Sequence, residues 1–509
     1  MKKALQTINF VLEQKYFPLT MILVAILYVT FYSFTTSPLY IIEGMDSGVF
    51  KSMGLAMTQG KIPYVDYFDH KGPILYFINA LGQLLSQGRW GIFILQIIAT
   101  SISFIYLFKT ARLFLNGWQS CLIFGIALVF LGGIYEEGNQ CEEWILAIVS
   151  PCLFYLLTDI VKGEALHMSP LYGLLYGLCF AFAFFIRPND AIAILGGALW
   201  GSIIYAVVYK KLEISTIIYD ILSFLGGFLI ITILVCSYFA YYQSFDDFIY
   251  GLFIHNSLYA GGIKTLLLSC LNYRKIVVIL IWIALWSMVY DTKYKNILFV
   301  LIPVCLFQYV LMGKFMFPHY FIGYFALFLL YGIFIMKQKR FSSVILYLSL
   351  LYCSAYAGEA NWYRLSKEAI RNRVNLIKSQ DIENKIFYSE CNKLLDMVPN
   401  DMQDSIWNYN LMWAKDPASS IFFHYGITQC NKVPYYYMYC VDEHLKIIDD
   451  IKQYTPPYVV LTHTEDKDTT WLPIWAKYTD DYRFIEANYE LVAATDSTIC
   501  NIELYKRKD

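Results

Sequence analysis

Side chains suited to acid–base or phosphate chemistry gather in a few short stretches of this chain. The densest is IIEGMDSGVFKSMGLAMTQGKIPYVDYFDHKGPILYF, residues 41–77. Asp46 directly precedes a helical repeat of Val49, Phe50, Met53, Ala56 and Met57, so 47–59 is expected to form a short helix on a membrane surface. Two readings of Asp46 stand side by side. It is an N-cap accepting hydrogen bonds from the first free N–H groups of that helix, or a carboxylate placed to deprotonate an acceptor hydroxyl. Glu43 is a second carboxylate nearby. The segment GKIPYVDYFDHKGP, 60–73, adds Asp66, Asp69 and His70 as partners for a sugar or acceptor. Its Lys71 either pairs with a lipid phosphate or snorkels to the interface.

Three further stretches carry the same chemistry. YEEGNQCEEW, 135–144, sets Glu136, Glu137, Glu142 and Glu143 around Asn139. That is a solvated acidic turn, or a set of acceptors for sugar hydroxyls or an acceptor amine. A divalent cation is compatible with these acids, but oxygen ligands at this spacing fit no standard loop, so no metal or other cofactor is implied. FFIRPND, 184–190, puts Arg187 at a helix end, where a guanidinium reads as a two-pronged phosphate ligand or as an interfacial anchor. GKFMFPHY, 313–320, brings Lys314, His319 and Tyr320 to the same face, and a histidine at the start of a span is costly to keep. Cations for a phosphate, acceptors for a sugar and a base for the attacking group are what a phosphate-linked, hydroxyl-rich substrate requires.

The elements that must position these groups are membrane helices. The 509 residues are 58% hydrophobic and 16% charged, where a soluble domain is nearer a quarter charged. A net charge of −1 removes any argument for a nucleic-acid partner. Apolar runs near 17–36, 90–108, 119–135, 144–160, 171–186, 191–209, 221–242, 276–290, 296–312, 320–336 and 341–357 make about eleven spans, the first read as an uncleaved anchor. Lysine and arginine (Lys109, Arg112, Lys162, Lys210, Lys211, Lys293, Lys295, Lys337, Lys339, Arg340) alternate with acidic turns. The positive-inside rule therefore puts the N-terminus in the cytoplasm and the C-terminal region outside it, in an inner-membrane protein. Residues 1–358 then form the membrane domain, with a first external loop at 37–72, and 359–509 an extracytoplasmic α/β domain. In the latter, 362–379 and 442–452 read as helices, Lys385–Ser389 and Pro457–Thr462 as strands, and 489–506 as a terminal hairpin. Of the twelve cysteines, Cys391, Cys430, Cys440 and Cys500 match no metal-site spacing, and an oxidising compartment permits a Cys430–Cys440 pair.

The order of these features resembles the integral-membrane glycosyltransferases of the GT-C class, in particular the bacterial PMT-like, family-39-type and ArnT-like enzymes. The similar elements are Glu43 and Asp46 after the first span, then AMTQGKIPYVD from Ala56 to Asp66, FDHKGPILYF leading into the next hydrophobic segment, an Asn/Glu-bearing second loop, and PHY at 318–320. Where those enzymes often have K-P-P, this chain has Lys71–Gly72–Pro73, a departure that bears on the donor and not on the class. The resemblance covers roughly residues 15–335. It implies transfer of a sugar from a polyprenyl-phosphate donor to an extracytoplasmic glycan, lipid or protein acceptor, with inversion and no essential metal. Asp46 would be the catalytic carboxylate with Glu43 in reserve, and Lys71, Arg187, His319 and Tyr320 would hold the donor phosphate. Two other classes fit the composition: a flippase of lipid-linked sugars, which should show charges buried mid-span and paired halves, and a non-catalytic envelope scaffold.

Overall fold

The computed structural model describes residues 17–163, 170–209, 213–259, 268, 270–271, 273–311, 317–338, 367–410, 418–432, 447–463, 483–495 and 501–508. The helices of the first two-thirds are α1 (Phe17–Tyr32), α2 (Asp46–Thr58), α3 (Pro73–Leu85), α4 (Arg89–Phe114), α5 (Gly117–Ile134), α6 (Cys141–Lys162), α7 (Pro170–Phe184), α8 (Pro188–Val208), α9 (Ile214–Tyr241), α10 (Phe245–Ile249, continued through His255–Tyr259), α11 (Tyr273–Tyr290), α12 (Leu298–Leu311) and α13 (Phe325–Gln338). Every expected apolar run falls on one of these except 341–357, which lies outside the described residues. Among the described residues, α4, α5, α6, α8 and α9 are long and apolar enough to cross a membrane. The chain is a multi-pass membrane protein.

Two compact units make up the chain, each assembled from separated segments. The first comprises residues 1–33, 94–238 and 260–372, and the second 34–93, 239–259 and 373–509. The expected boundary at 358/359 falls outside the described residues. In the first unit, small residues let apolar helices approach closely where lipid supplies no hydrophobic drive. A Cβ on Gly177 of α7 would lie 2.0 Å from the Phe224 carbonyl of α9, and one on Gly227 of α9 would lie 2.0 Å from the Leu174 carbonyl of α7. The outer side of α9 exposes Ile218, Leu222, Leu225, Leu229 and Ile233, as expected of a helix facing lipid.

The C-terminal part of the second unit is α/β, as the sequence implies. Its elements are α14 (Lys367–Asn375), α15 (Ile382–Leu395), β1 (Ile406–Asn410), α16 (Ala418–Tyr425), α17 (Ile447–Tyr454), β2 (Tyr458–His463), β3 (Tyr489–Thr495) and β4 (Asn501–Arg507). The four strands run in the order β1-β2-β4-β3, with β1 parallel to β2 and the other neighbours antiparallel. Side-chain alternation gives the sheet two buried faces. Ile406, Val460, Ile502 and Leu504 pack with Phe387, Leu394 and Phe422 of α15 and α16, while Trp407, Tyr409, Val459 and Leu461 pack with Ile451 of α17.

Lys385–Ser389, expected as a strand, is helical. Phe387, Tyr388, Cys391, Leu394 and Leu395 form one buried stripe at helical spacing, and the Asp381 carboxylate caps the helix by accepting the Asn384 N–H at 3.2 Å. The first external loop joins this same core through Ile41. It is pinned there by a Tyr40–Ile377 bridge and by the Lys378 N–H donating to the Leu39 carbonyl at 2.6 Å.

Candidate active site

In the second unit, α2 and α3 run side by side in the same direction. Gly54 of α2 meets the backbone of α3 at Asn79 and Ala80, where a Cβ would lie 2.5 Å from the Asn79 carbonyl carbon. The C-terminal residues Thr58 and Gln59 share a cleft with Gln83 and Gln87. A common register of this kind brings the N-terminal ends together, Asp46 opening α2 and Lys71 standing just before α3. The loop 59–72 is the return that parallel neighbours require. α2 does not lie open on a surface as its apolar repeat suggests: Ser47 to Ala56 is buried throughout. Gly48, Ser52, Gly54 and Ala56 are small enough for the helix to be packed on several sides.

Asp46 does not cap α2. It is the first helical residue, preceded by Met45 in helical conformation, and no side-chain cap bond forms. Half-buried, Asp46 makes no hydrogen bond or ion pair among the described residues. Glu43 is its opposite. Its buried carboxylate pairs with the fully buried Lys51 and with Arg89 at 2.8 Å, and His424 lies at 3.5 Å. Burial alone would raise its pKa, but the charges of Arg89 and Lys51 hold it well below the carboxylate range. The Arg89 guanidinium also collects the carbonyls of Ser37, Tyr40, Ile41 and Ile42. Lys51 donates to the Thr35 carbonyl at 2.7 Å. The Tyr388 hydroxyl accepts the Glu43 N–H at 3.3 Å, and the Tyr388 ring stacks on His424.

Before α3, Asp69, His70 and Lys71 form a chain. His70 Nδ1 faces Asp69 at 3.4 Å, and its Nε2 lies 2.9 Å from Lys71 Nζ. With the ammonium donating to Nε2, the neutral ring carries its proton on Nδ1, toward the carboxylate. Burial and the neighbouring Lys71 charge lower the His70 pKa. Burial would raise Asp69, but the hydrogen bond from the neutral His70 and the Lys71 charge hold it well below the carboxylate range. The backbone here is clamped. The Lys71 carbonyl accepts from the Tyr64 hydroxyl at 2.6 Å, the Tyr76 hydroxyl lies 3.0 Å from both that carbonyl and Asp69, and the His70 carbonyl accepts from Asn256 at 2.7 Å. His255 packs beside His70, ring centroids 5.8 Å apart, and burial with the nearby Lys71 charge lowers it to about 4. Asp66 is exposed and accepts the Ile62 N–H at 2.7 Å, closing its own turn.

The remaining expected residues belong to the first unit. Arg187 pairs with Glu142, lies 3.4 Å from Asp190, and stacks 3.9 Å from the Tyr320 ring. His319 pairs with Glu136. Glu143 is hydrogen-bonded to Tyr135 and Gln96, both near 2.5 Å in these buried contacts, and Gln96 continues to Ser33. The Asn139 carbonyl oxygen accepts from the Trp144 indole at 3.1 Å. Glu137 is half-buried beside them. Arg187 and His319, expected to hold phosphate, are thus matched to carboxylates of the acidic turn. Lys314 and Cys440 lie outside the described residues. Lys51 and Arg89 were not singled out from the sequence. A lysine inside the apolar run VFKSMGLAM was the available signal for the first; the second reads as an ordinary charge flanking a span.

No family model and no curated protein matches the sequence. Among solved structures, the chain is similar to ArnT from Cupriavidus metallidurans bound to undecaprenyl phosphate, with TM-score 0.56 and 11% identity over 96% of this chain and 98% of that one. The Archaeoglobus fulgidus oligosaccharyltransferase matches with TM-score 0.43 and 12% identity in its apo form, over 88% of this chain and 70% of that one. Tethered to an acceptor peptide, it matches with TM-score 0.46 and 12% identity over 98% and 75%. The fold is that of the GT-C class. The likeness to the ArnT structure extends over nearly the whole of both chains.

Proposed function

We propose that this protein is a membrane glycosyltransferase that moves a sugar from a polyprenyl-phosphate donor to an extracytoplasmic acceptor, with Asp46 as the base. The observation that carries the reading is the contrast at the paired helix starts. Asp46 is uncommitted beside the Asp69–His70–Lys71 chain, while Glu43 is fully paired. A lipid phosphate as leaving group is supported by the ArnT structure, which holds undecaprenyl phosphate.

Asp46 takes the proton of the acceptor hydroxyl as its oxygen attacks the anomeric carbon. The bond from that carbon to the phosphate oxygen breaks on the opposite face, inverting the configuration, and polyprenyl phosphate departs with the bonding pair. The Lys71 ammonium meets the charge that develops there, and the α3 N-terminus, with Pro73 at its first position, adds the positive end of the helix dipole. Asp69 and His70 position Lys71 and touch no reacting atom. No metal is needed for these steps. The second unit is proposed to face outside the cytoplasm, as the charge alternation implies. The test is incubation of the full chain in nanodiscs with a labelled polyprenyl-phosphate sugar and a hydroxyl acceptor. Release of polyprenyl phosphate with an anomerically inverted product supports the reading; movement of intact donor across a vesicle bilayer without bond cleavage replaces it with a flippase.

A further inference from the structure

The ends of α2 and α3 remote from Asp46 and Lys71 enclose a cleft of about 420 Å³, within the ~300–1,000 Å³ range of small-molecule sites. Each helix has 13 residues, so the cleft lies on the order of 18–20 Å along the helix axes from the proposed reaction end. Thr58, Gln59, Gln83 and Gln87 supply its polar lining, Leu84 and Phe423 its apolar lining, and none of its lining residues is ionisable. The polar groups differ in what they can still do. Gln83 is used at both ends on Gly88, at 2.9 Å each, and shapes the wall. Gln59 accepts from the Thr428 hydroxyl at 2.8 Å and keeps its NH₂ for a ligand. Gln87 is exposed, with no partner among the described residues. Gly88 and Gly426, both at positive φ, leave open space where a side chain would project.

Two features fix the ligand chemistry. The cleft sits at two helix C-termini, the negative ends of their dipoles, which disfavour phosphate and carboxylate and favour hydroxyl donors. Beside it, α3 exposes Leu81, Leu84 and Leu85, with Leu84 73% exposed, so an apolar strip begins at the rim. We propose that the cleft binds the uncharged, hydroxyl-rich headgroup of a membrane-anchored glycolipid, the amides reading hydroxyls while the tail lies along the leucines. The inference stands apart from the transferase reading, because it is tested by binding without turnover.

The probe is radiolabelled n-octyl β-D-glucoside, titrated below its micelle concentration onto the full chain in amphipol. Saturable binding is expected, with methyl β-D-glucoside, lacking the tail, weaker by at least about tenfold. Octyl phosphocholine should not compete. Gln87→Ala removes one net hydrogen bond from an exposed position and should weaken binding by about fivefold. Thr58→Trp should abolish it by filling the space, with thermal unfolding recorded to show the fold intact. Binding indifferent to both variants, or equal competition by octyl phosphocholine, overturns the proposal.

Discussion

Glu43 and Asp46 stand three positions apart at the entry to α2, and the fold treats them oppositely. Because Asp46 makes no cap bond, Asp46→Asn should leave thermal unfolding unchanged while lowering turnover by roughly 10²–10⁴ through loss of the base. A variant with wild-type turnover would remove Asp46 from the mechanism. Glu43→Gln should act the other way. It leaves the Lys51 charge, 0% exposed, without its counter-charge, a loss of about 3–5 kcal/mol, seen as a lower unfolding temperature or a failure to fold. The histidines set a pH dependence. His255 falls from an ordinary 6.5 to about 4, and His70 is lowered too, so below pH 6.5 the unfolded chain binds protons that the folded one refuses. Stability is complete above that pH and declines as pH falls toward 4; Glu43 and Asp69, both held low, add a further loss in stronger acid. Melting curves across this range, with His255→Gln flattening the upper limb, check it. At this scale the sequence shows which residues are chemically able, Asp46, Asp69, His70 and Lys71 among them. It does not show which are already spent, because the partners of Glu43 come from positions 51, 89 and 424.

Among the elements, the least legible was α3. At 13 residues it is too short to span a bilayer, so a search for spans passes over it, and its pairing with α2 leaves no trace in either helix's own periodicity. The pairing rests on Gly54. Gly54→Leu must push apart helices whose backbones touch there, and overpacking of this kind costs about 1–3 kcal/mol. Displacement of Asp46 from Lys71 should lower turnover further than the stability loss explains. Turnover measured well below the melting temperature separates the two; full activity there would mean that the helix starts act independently. Local pattern sufficed for β2, β3 and β4, whose alternation survives in the chain. It failed for α15, where KIFYS reads as a strand until the stripe is followed out to Leu395.

For the molecule as a whole, the C-terminal domain is not an appendage to the first loop but the template on which that loop is built. Ile41 sits in the core of α15, α16 and the sheet, and Tyr388 and His424 close around Glu43. A chain ending after residue 372 should therefore keep its apolar helices yet leave residues 37–92 open to protease and inactive; a resistant loop in that truncation would show that α2 and α3 fold without the template. Sequence reading found the C-terminal domain and the loop separately, since composition changes sharply at each, but nothing local reports that they share a core.

That shared core also sets a schedule for biosynthesis. The Glu43 N–H and the Tyr388 hydroxyl that accepts it are separated by 345 positions. At a synthesis rate of ~5–20 residues per second, the loop waits roughly 15–70 s for its other half to emerge. During that interval Lys51, Glu43 and the apolar side of α2 have no permanent surroundings. The newly made loop depends on water, lipid headgroups or a chaperone on its side of the membrane until the last third of the chain arrives.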